Sequence, residues 1–123
     1  MEREELEKLL QSILASHVGE ANAIARWDLV IKVFGQGADI PRTDDNRADR
    51  AIRKAVEGLR NQGRIICNLG NGAGWFMPSN DEEYRAFRSS YGSHAFPIMA
   101  NIRAMDETAR EIWPNALQPR LFS

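Results

Sequence analysis

The chain has 123 residues, which leaves room for one compact core and excludes a multidomain enzyme. Hydrophobic residues make up 43% and charged residues 27%, the balance of a chain that folds in water, not of a disordered or fibrous one. Sixteen basic against 17 acidic residues give a net charge of -1, which excludes a general attraction to nucleic acid; any such affinity has to come from local asymmetry.

A lone cysteine, Cys67, makes no internal disulfide, and with only His17 and His94 beside it the soft ligands for a structural zinc site are missing. No apolar run approaches the roughly 18 to 20 residues of a membrane span. The start, Met-Glu-Arg-Glu-Glu, is acidic where a signal peptide is basic and then apolar. The expectation is a cytoplasmic protein that folds on packing alone, with no membrane partner.

From Glu2 onward Leu6, Leu9, Leu10, Ile13, Leu14 and His17 recur at threes and fours, predicting a first helix that Gly19 ends. Asn22 to Ala25 reads as a loop or a minimal strand. Trp27, Val30, Ile31 and Phe34 define a second, short helix, with Leu29 and Val33 as another apolar row and Gly35 as its terminator. The glycines and proline of Gly35 to Arg42 make a loop. Thr43 or Asp44 then caps a third helix, whose Ala48, Ile52, Ala55, Val56 and Leu59 keep the period up to Gly63.

Arg64 to Leu69 and Gly74 to Met77 are short β-prone runs around a glycine-rich tip, expected to pair as a hairpin closed by Pro78. Ser79 with Glu82, or Asn80 with Glu83, opens a fourth helix carrying Tyr84, Phe87 and Tyr91, with Gly92 and Pro97 interrupting it. Ile98, Ile102, Met105, Ala109 and Ile112 mark a last helix from about Pro97 to Trp113, before Pro114 stops it. The expected organisation is a domain over 1–78, a helical extension over 79–113 and an extended tail over 114–123.

Three helices followed by a two-stranded hairpin is the element order of a winged helix-turn-helix, in which the third helix enters the major groove and the hairpin is the wing. The run from Ile52 to Cys67, with its Leu59-Arg-x-x-Gly63 turn into an Ile66-Cys67 strand, then Gly74-Trp-Phe-Met and an acidic helix start, resembles small phage and prophage winged-helix proteins. The resemblance spans most of residues 6 to 90. It implies a mainly α fold with a small β-hairpin, and double-stranded DNA as the partner in phage replication or regulation. Gly92 and Pro97 depart from the family pattern, which has one long C-terminal helix.

Helix periodicity gives an independent check, because the core side at Ile52 leaves Arg47, Arg50, Lys54, Glu57 and Asn61 facing the other way. Between Arg42 and Arg64 seven basic residues stand against four acidic ones, a local net of +3. Arginine and asparagine read guanine and adenine edges through paired hydrogen bonds, so Asn46, Arg47 and Arg50 are candidates for base contact. Thr43, Arg53, Lys54 and Arg64 complete the candidate DNA-binding set. The competing reading is a plain solvated face, with Asp44, Asp45 and Asp49 repelling phosphates.

Trp75 and Phe76 read as structural, although a base-stacking pair has the same composition. Asn68, Asn71 and the tip glycines suit either a phosphate approach or a simple loop. His17 reads as a buried or capping histidine, and His94 lies beside a helix break. Cys67, inside an apolar strand, reads as an inert thiol. The glycine-rich tip lacks the Lys-Ser or Lys-Thr of a phosphate loop and leads into a strand. No catalytic constellation and no cofactor site emerge, so the expectation is a binding module, not an enzyme.

Beyond Pro114 the chain ends Gln118-Pro-Arg-Leu-Phe-Ser. Gln118, two spacers, then Leu121 and Phe122 is similar to the bacterial sliding-clamp-binding motif, in which the glutamine precedes two apolar anchors; Pro119 is a departure from it. Burial of each anchor contributes ~1.5 to 3 kcal/mol. The alternative is that Leu121 and Phe122 fold back onto the chain's own core. Two other functions compete with a replication-linked module: a dimeric transcriptional regulator paired through its C-terminal helices, and a protein-interaction module without DNA binding.

Overall fold

The computed structural model describes residues 1–35, 41–43, 45–68 and 74–115. Two compact units divide the chain, Met1–Arg88 and Ser89–Ser123.

The first unit is mainly helical with a small antiparallel sheet. It begins with α1 (Arg3–Leu14), a 3-10 turn (Glu20–Asn22), β1 (Ile24–Ala25) and α2 (Arg26–Phe34). Then come α3 (Arg47–Asn61), β2 (Cys67–Asn68), β3 (Gly74–Phe76) and the start of α4 (Asp81–Ser93). Leu6, Leu10 and Leu14 of α1, Leu29 and Val30 of α2, and Ile52, Val56 and Leu59 of α3 pack with Ile24 and Ile66 into one core. The phase expected for α3 is therefore the one observed. In α2 the buried row is Leu29, Val30 and Val33, while Trp27 and Phe34 are half-buried at the core's edge. A nine-residue helix that is apolar nearly all round leaves that choice to its neighbours.

Helix ends follow local chemistry. Gly35 takes φ +65 and lets its N–H return to the Ile31 carbonyl at 2.7 Å. The cap of α3 is Asn46, in place of Thr43; the other expected cap, Asp44, lies outside the described residues. Asn46 Oδ1 accepts from Asp49 N at 3.0 Å, and its Nδ2 donates to the Pro41 carbonyl at 2.9 Å, so both ends of the amide are engaged. Gly63 at φ +87 turns the chain so that Arg64 N reaches the Leu59 carbonyl at 3.0 Å.

The sheet has three strands in the order β1-β3-β2, so the minimal strand reading of Ile24 and Ala25 holds and the hairpin gains a third member. Cys67 sits opposite Phe76 and Asn68 opposite Trp75, while Ile24 sits opposite Trp75 and Ala25 opposite Gly74. An added Cβ on Gly74 would lie 3.0 Å from the Ile24 carbonyl oxygen and 3.2 Å from Ala23 Cβ, so a side chain there would press β1 and β3 apart by a few tenths of an ångström. The tip at Leu69 to Ala73, including Asn71, lies outside the described residues.

The start of α4 uses the Asn80 and Glu83 pair. Asn80 Oδ1 accepts from Glu83 N at 2.9 Å, and Glu83 Oε1 accepts from Ser79 N at 2.7 Å. The helix continues through Gly92 to Ser93, against the interruption expected there, because an interior glycine weakens a helix by about 1 kcal/mol without forbidding it.

The second unit holds the end of α4 and α5 (Ala95–Ile112), with the break at His94. Pro97 falls inside the first turn of α5, where its missing N–H costs no hydrogen bond. Trp113 leaves the helical conformation, at φ -130 and ψ 84, ahead of Pro114.

Candidate nucleic-acid interface

Helix α3 buries Asp49, Ile52, Ala55, Val56 and Leu59 and exposes Arg47, Arg50, Arg53, Lys54, Glu57 and Asn61. At 100° per residue Arg47, Arg50, Lys54, Glu57 and Asn61 occupy an arc of about 80°. Three cations in that arc face solvent over two turns, opposite the core.

Asp49 changes the electrostatics of this helix. Asp49 is 1% exposed, so its carboxylate makes no direct contact with an approaching phosphate. Arg26, in the first turn of α2, donates Nε to Oδ1 at 2.9 Å and Nη2 to Oδ2 at 2.7 Å; Arg53 donates Nε to Oδ2 at 3.0 Å. The two-pronged Arg26 arm fixes α3 against α2. Arg26 also lies over the Trp27 ring, 4.6 Å from its centroid.

The sequence-based candidates therefore separate. Arg47, Arg50 and Lys54 form one exposed row. Arg53 flanks it with its Nε on Asp49. Thr43 is exposed ahead of the helix and its carbonyl accepts from Asn46 N at 3.1 Å. Asn46 is committed to the cap. Arg64 stands beyond the other end of α3, which is about 22 Å long. It borders a cleft of about 220 Å³ with Gln11, Leu14, Ala15, Ile66 and Met77.

Arg60, counted in the basic segment, is structural. Its guanidinium donates to the Ile66 carbonyl at 2.9 Å and to Asn68 Oδ1 at 3.2 Å. It also lies 5.8 Å from the Trp75 centroid and 4.9 Å from that of Phe87. Asn68 and Trp75 thus serve the α3–sheet junction, and Phe76 is buried at 4% exposure.

Burial pushes the Cys67 thiol up to about 11, which removes its thiolate at neutral pH. His17 follows α1 with its Nδ1 at 2.8 Å from the Asn22 carbonyl, and its Nε2 is buried without a hydrogen-bond partner among the described residues. Among the described residues no group of three or more His, Cys, Asp or Glu side chains is arranged to hold a metal ion, and no helix is long and apolar enough to cross a membrane. Gln118, Leu121 and Phe122 lie outside the described residues.

Comparison with protein-family models, with curated proteins and with solved structures gives no match. What the chain defines by itself is a mainly helical domain with a three-stranded antiparallel sheet, carrying an exposed basic row on its third helix.

Proposed function

We propose that this chain is a winged-helix protein of the phage and prophage type, binding double-stranded DNA with α3 as the recognition helix and the β2–β3 hairpin as the wing. The observation that carries the reading is the solvent-facing row Arg47, Arg50 and Lys54 opposite the core, on a helix whose Asp49 is withdrawn from the surface by Arg26 and Arg53. The element order helix, strand, helix, helix, strand, strand and the sheet order β1-β3-β2 suit the same reading, since they set α3 and a hairpin on one scaffold.

On DNA, Arg47 and Arg50 supply guanidinium forks for guanine edges or phosphates, and Lys54 supplies a point charge for the backbone. Thr43 and Arg53 take phosphate contacts at the flank. The tail supports a link to replication: Gln118, Leu121 and Phe122 follow a helix that ends at Ile112, in the order that suits an extended ligand for a bacterial sliding clamp.

A gel shift with a mixed pool of duplexes tests the DNA reading. The native chain is expected to retard duplex DNA, and the Arg47→Ala, Arg50→Ala, Lys54→Ala triple variant to lose that retardation with its melting temperature intact. Equal affinity of the two proteins overturns the assignment of α3.

A further inference from the structure

In the second unit the large apolar side chains of α5 face solvent. Among the large side chains of its apolar row Ile102 is the least exposed at 46% and Met105 the most at 63%. The row Ala95, Ile98, Ile102, Met105, Ala109 and Ile112 advances by three, four, three, four and three residues. That is the heptad spacing that keeps one seam of a helix against another helix. No charged residue stands in the seam; Asp106 lies on its flank between Met99 and Trp113, and Arg103, Glu107, Arg110 and Glu111 fall on the far side of the helix.

We propose that α5 pairs antiparallel with α5 of a second copy of this chain, about a two-fold axis near Ile102 and Met105. The order of side-chain sizes selects this register. Run antiparallel, the seam sets Ile98 against Ala109 of the second copy, Ile102 against Met105 and Ala95 against Ile112, so each alanine receives a large partner. Run parallel and in register, Ala95 meets Ala95 and Ala109 meets Ala109, leaving two layers with voids. The receiving side has a matching shape: an open depression of about 510 Å³ lies around Ala109, bounded by Ala104, Met105, Thr108, Ile112 and Trp113.

The area agrees with a dimer. With Met99 and Trp113 on its flank, the exposed seam amounts to roughly 700 Å² per copy, so complete cover in two copies sets an upper bound of about 1,400 Å², against the roughly 1,200 to 2,000 Å² of stable interfaces. Opposed helix macrodipoles favour the same direction.

Sedimentation of the full chain tests the pairing. The native protein is expected at twice the chain mass at tens of micromolar, and an Ile102→Asp, Met105→Asp variant at the single mass. Oxidation tests the register: Ile98→Cys with Ala109→Cys is expected to give a covalent dimer, while Ile98→Cys alone stays unlinked, since the two copies of residue 98 sit eleven residues apart, about 16 Å. A native chain that stays at single mass at about 100 µM overturns the proposal, and so does ready cross-linking by Ile98→Cys alone. A single-mass native chain whose melting temperature falls in the Ile102→Asp variant would assign the seam to the chain's own first unit instead. All these readouts are independent of DNA.

Discussion

Arg26 in the first turn of α2 grips both carboxylate oxygens of Asp49 in the first turn of α3, at 2.9 and 2.7 Å, and in doing so fixes the helix that carries the candidate interface. Asp49 is the only fully buried charge of that helix among the described residues, and Arg26 is its best-formed partner. Removing Arg26 takes away the two-pronged partner and leaves the buried carboxylate with the Arg53 hydrogen bond at 3.0 Å. Arg26→Ala is therefore expected to destabilise the first unit by about 1 to 3 kcal/mol, and the Arg26→Ala, Asp49→Ala double variant by less than the two single losses combined. Chemical denaturation of the three variants measures this.

Asp49 also shows how far the sequence carried. The phase of α3 was legible, because Ile52, Val56 and Leu59 repeat at helical spacing and Gly63 marks the end. Asp49 falls on the same side as Val56 and Ile52, which signals that a cation must meet it, yet nothing local says that the cation comes from Arg26, 23 residues earlier. The cap at Asn46 was hidden for a different reason: Thr43, Asp44 and Asn46 all carry side chains that accept from free helix amides, and the path of the preceding loop chooses among them. The third strand was barely visible because two residues of backbone pairing leave almost no side-chain pattern. At the interface, Arg47, Arg50 and Lys54 were legible from phase alone; that Arg60 is used to hold the sheet was not, since its partners lie on β2, β3 and α4.

Leu59→Ala is expected to cost roughly 2 to 5 kcal/mol, since Leu59 is fully buried between the helices, whereas Arg50→Ala on the exposed face should change stability by only about 0.5 kcal/mol or less. Thermal melts of the two variants check the phase of α3. Equal melting temperatures would contradict it.

The Glu83 carboxyl is held below its ordinary value of 4.5, first by the N–H of Ser79 and then by that of Glu20, with the Ser79 hydroxyl adding to both. A folded-state value below the unfolded one contributes stability that is present above about pH 4.5 and is lost as pH falls through the folded value. Between pH 6 and pH 3, roughly the span of carboxylate titration, the native chain is expected to lose more stability than Glu83→Gln. Urea denaturation at stepped pH reads the difference; parallel losses would contradict the role of Glu83.

The tail is expected to bind by itself. A synthetic peptide from Asn115 to Ser123 should release or absorb heat on titration into a bacterial sliding clamp, and the Leu121→Ala, Phe122→Ala peptide should not, because the two anchors supply most of the buried apolar area. Absence of heat from the native peptide at high micromolar concentration would remove the link to replication and leave the DNA reading untouched.

The proposed contact of α3 with DNA through Arg47, Arg50 and Lys54 is read out by the salt dependence of duplex binding. Each phosphate contact contributes about 0.9 to the slope of log K against log salt concentration, so replacing the three residues by alanine should flatten the slope by roughly 2 to 3 and weaken binding at every salt concentration. A triple variant whose slope and affinity match those of the native chain would rule out α3 as the DNA-binding helix.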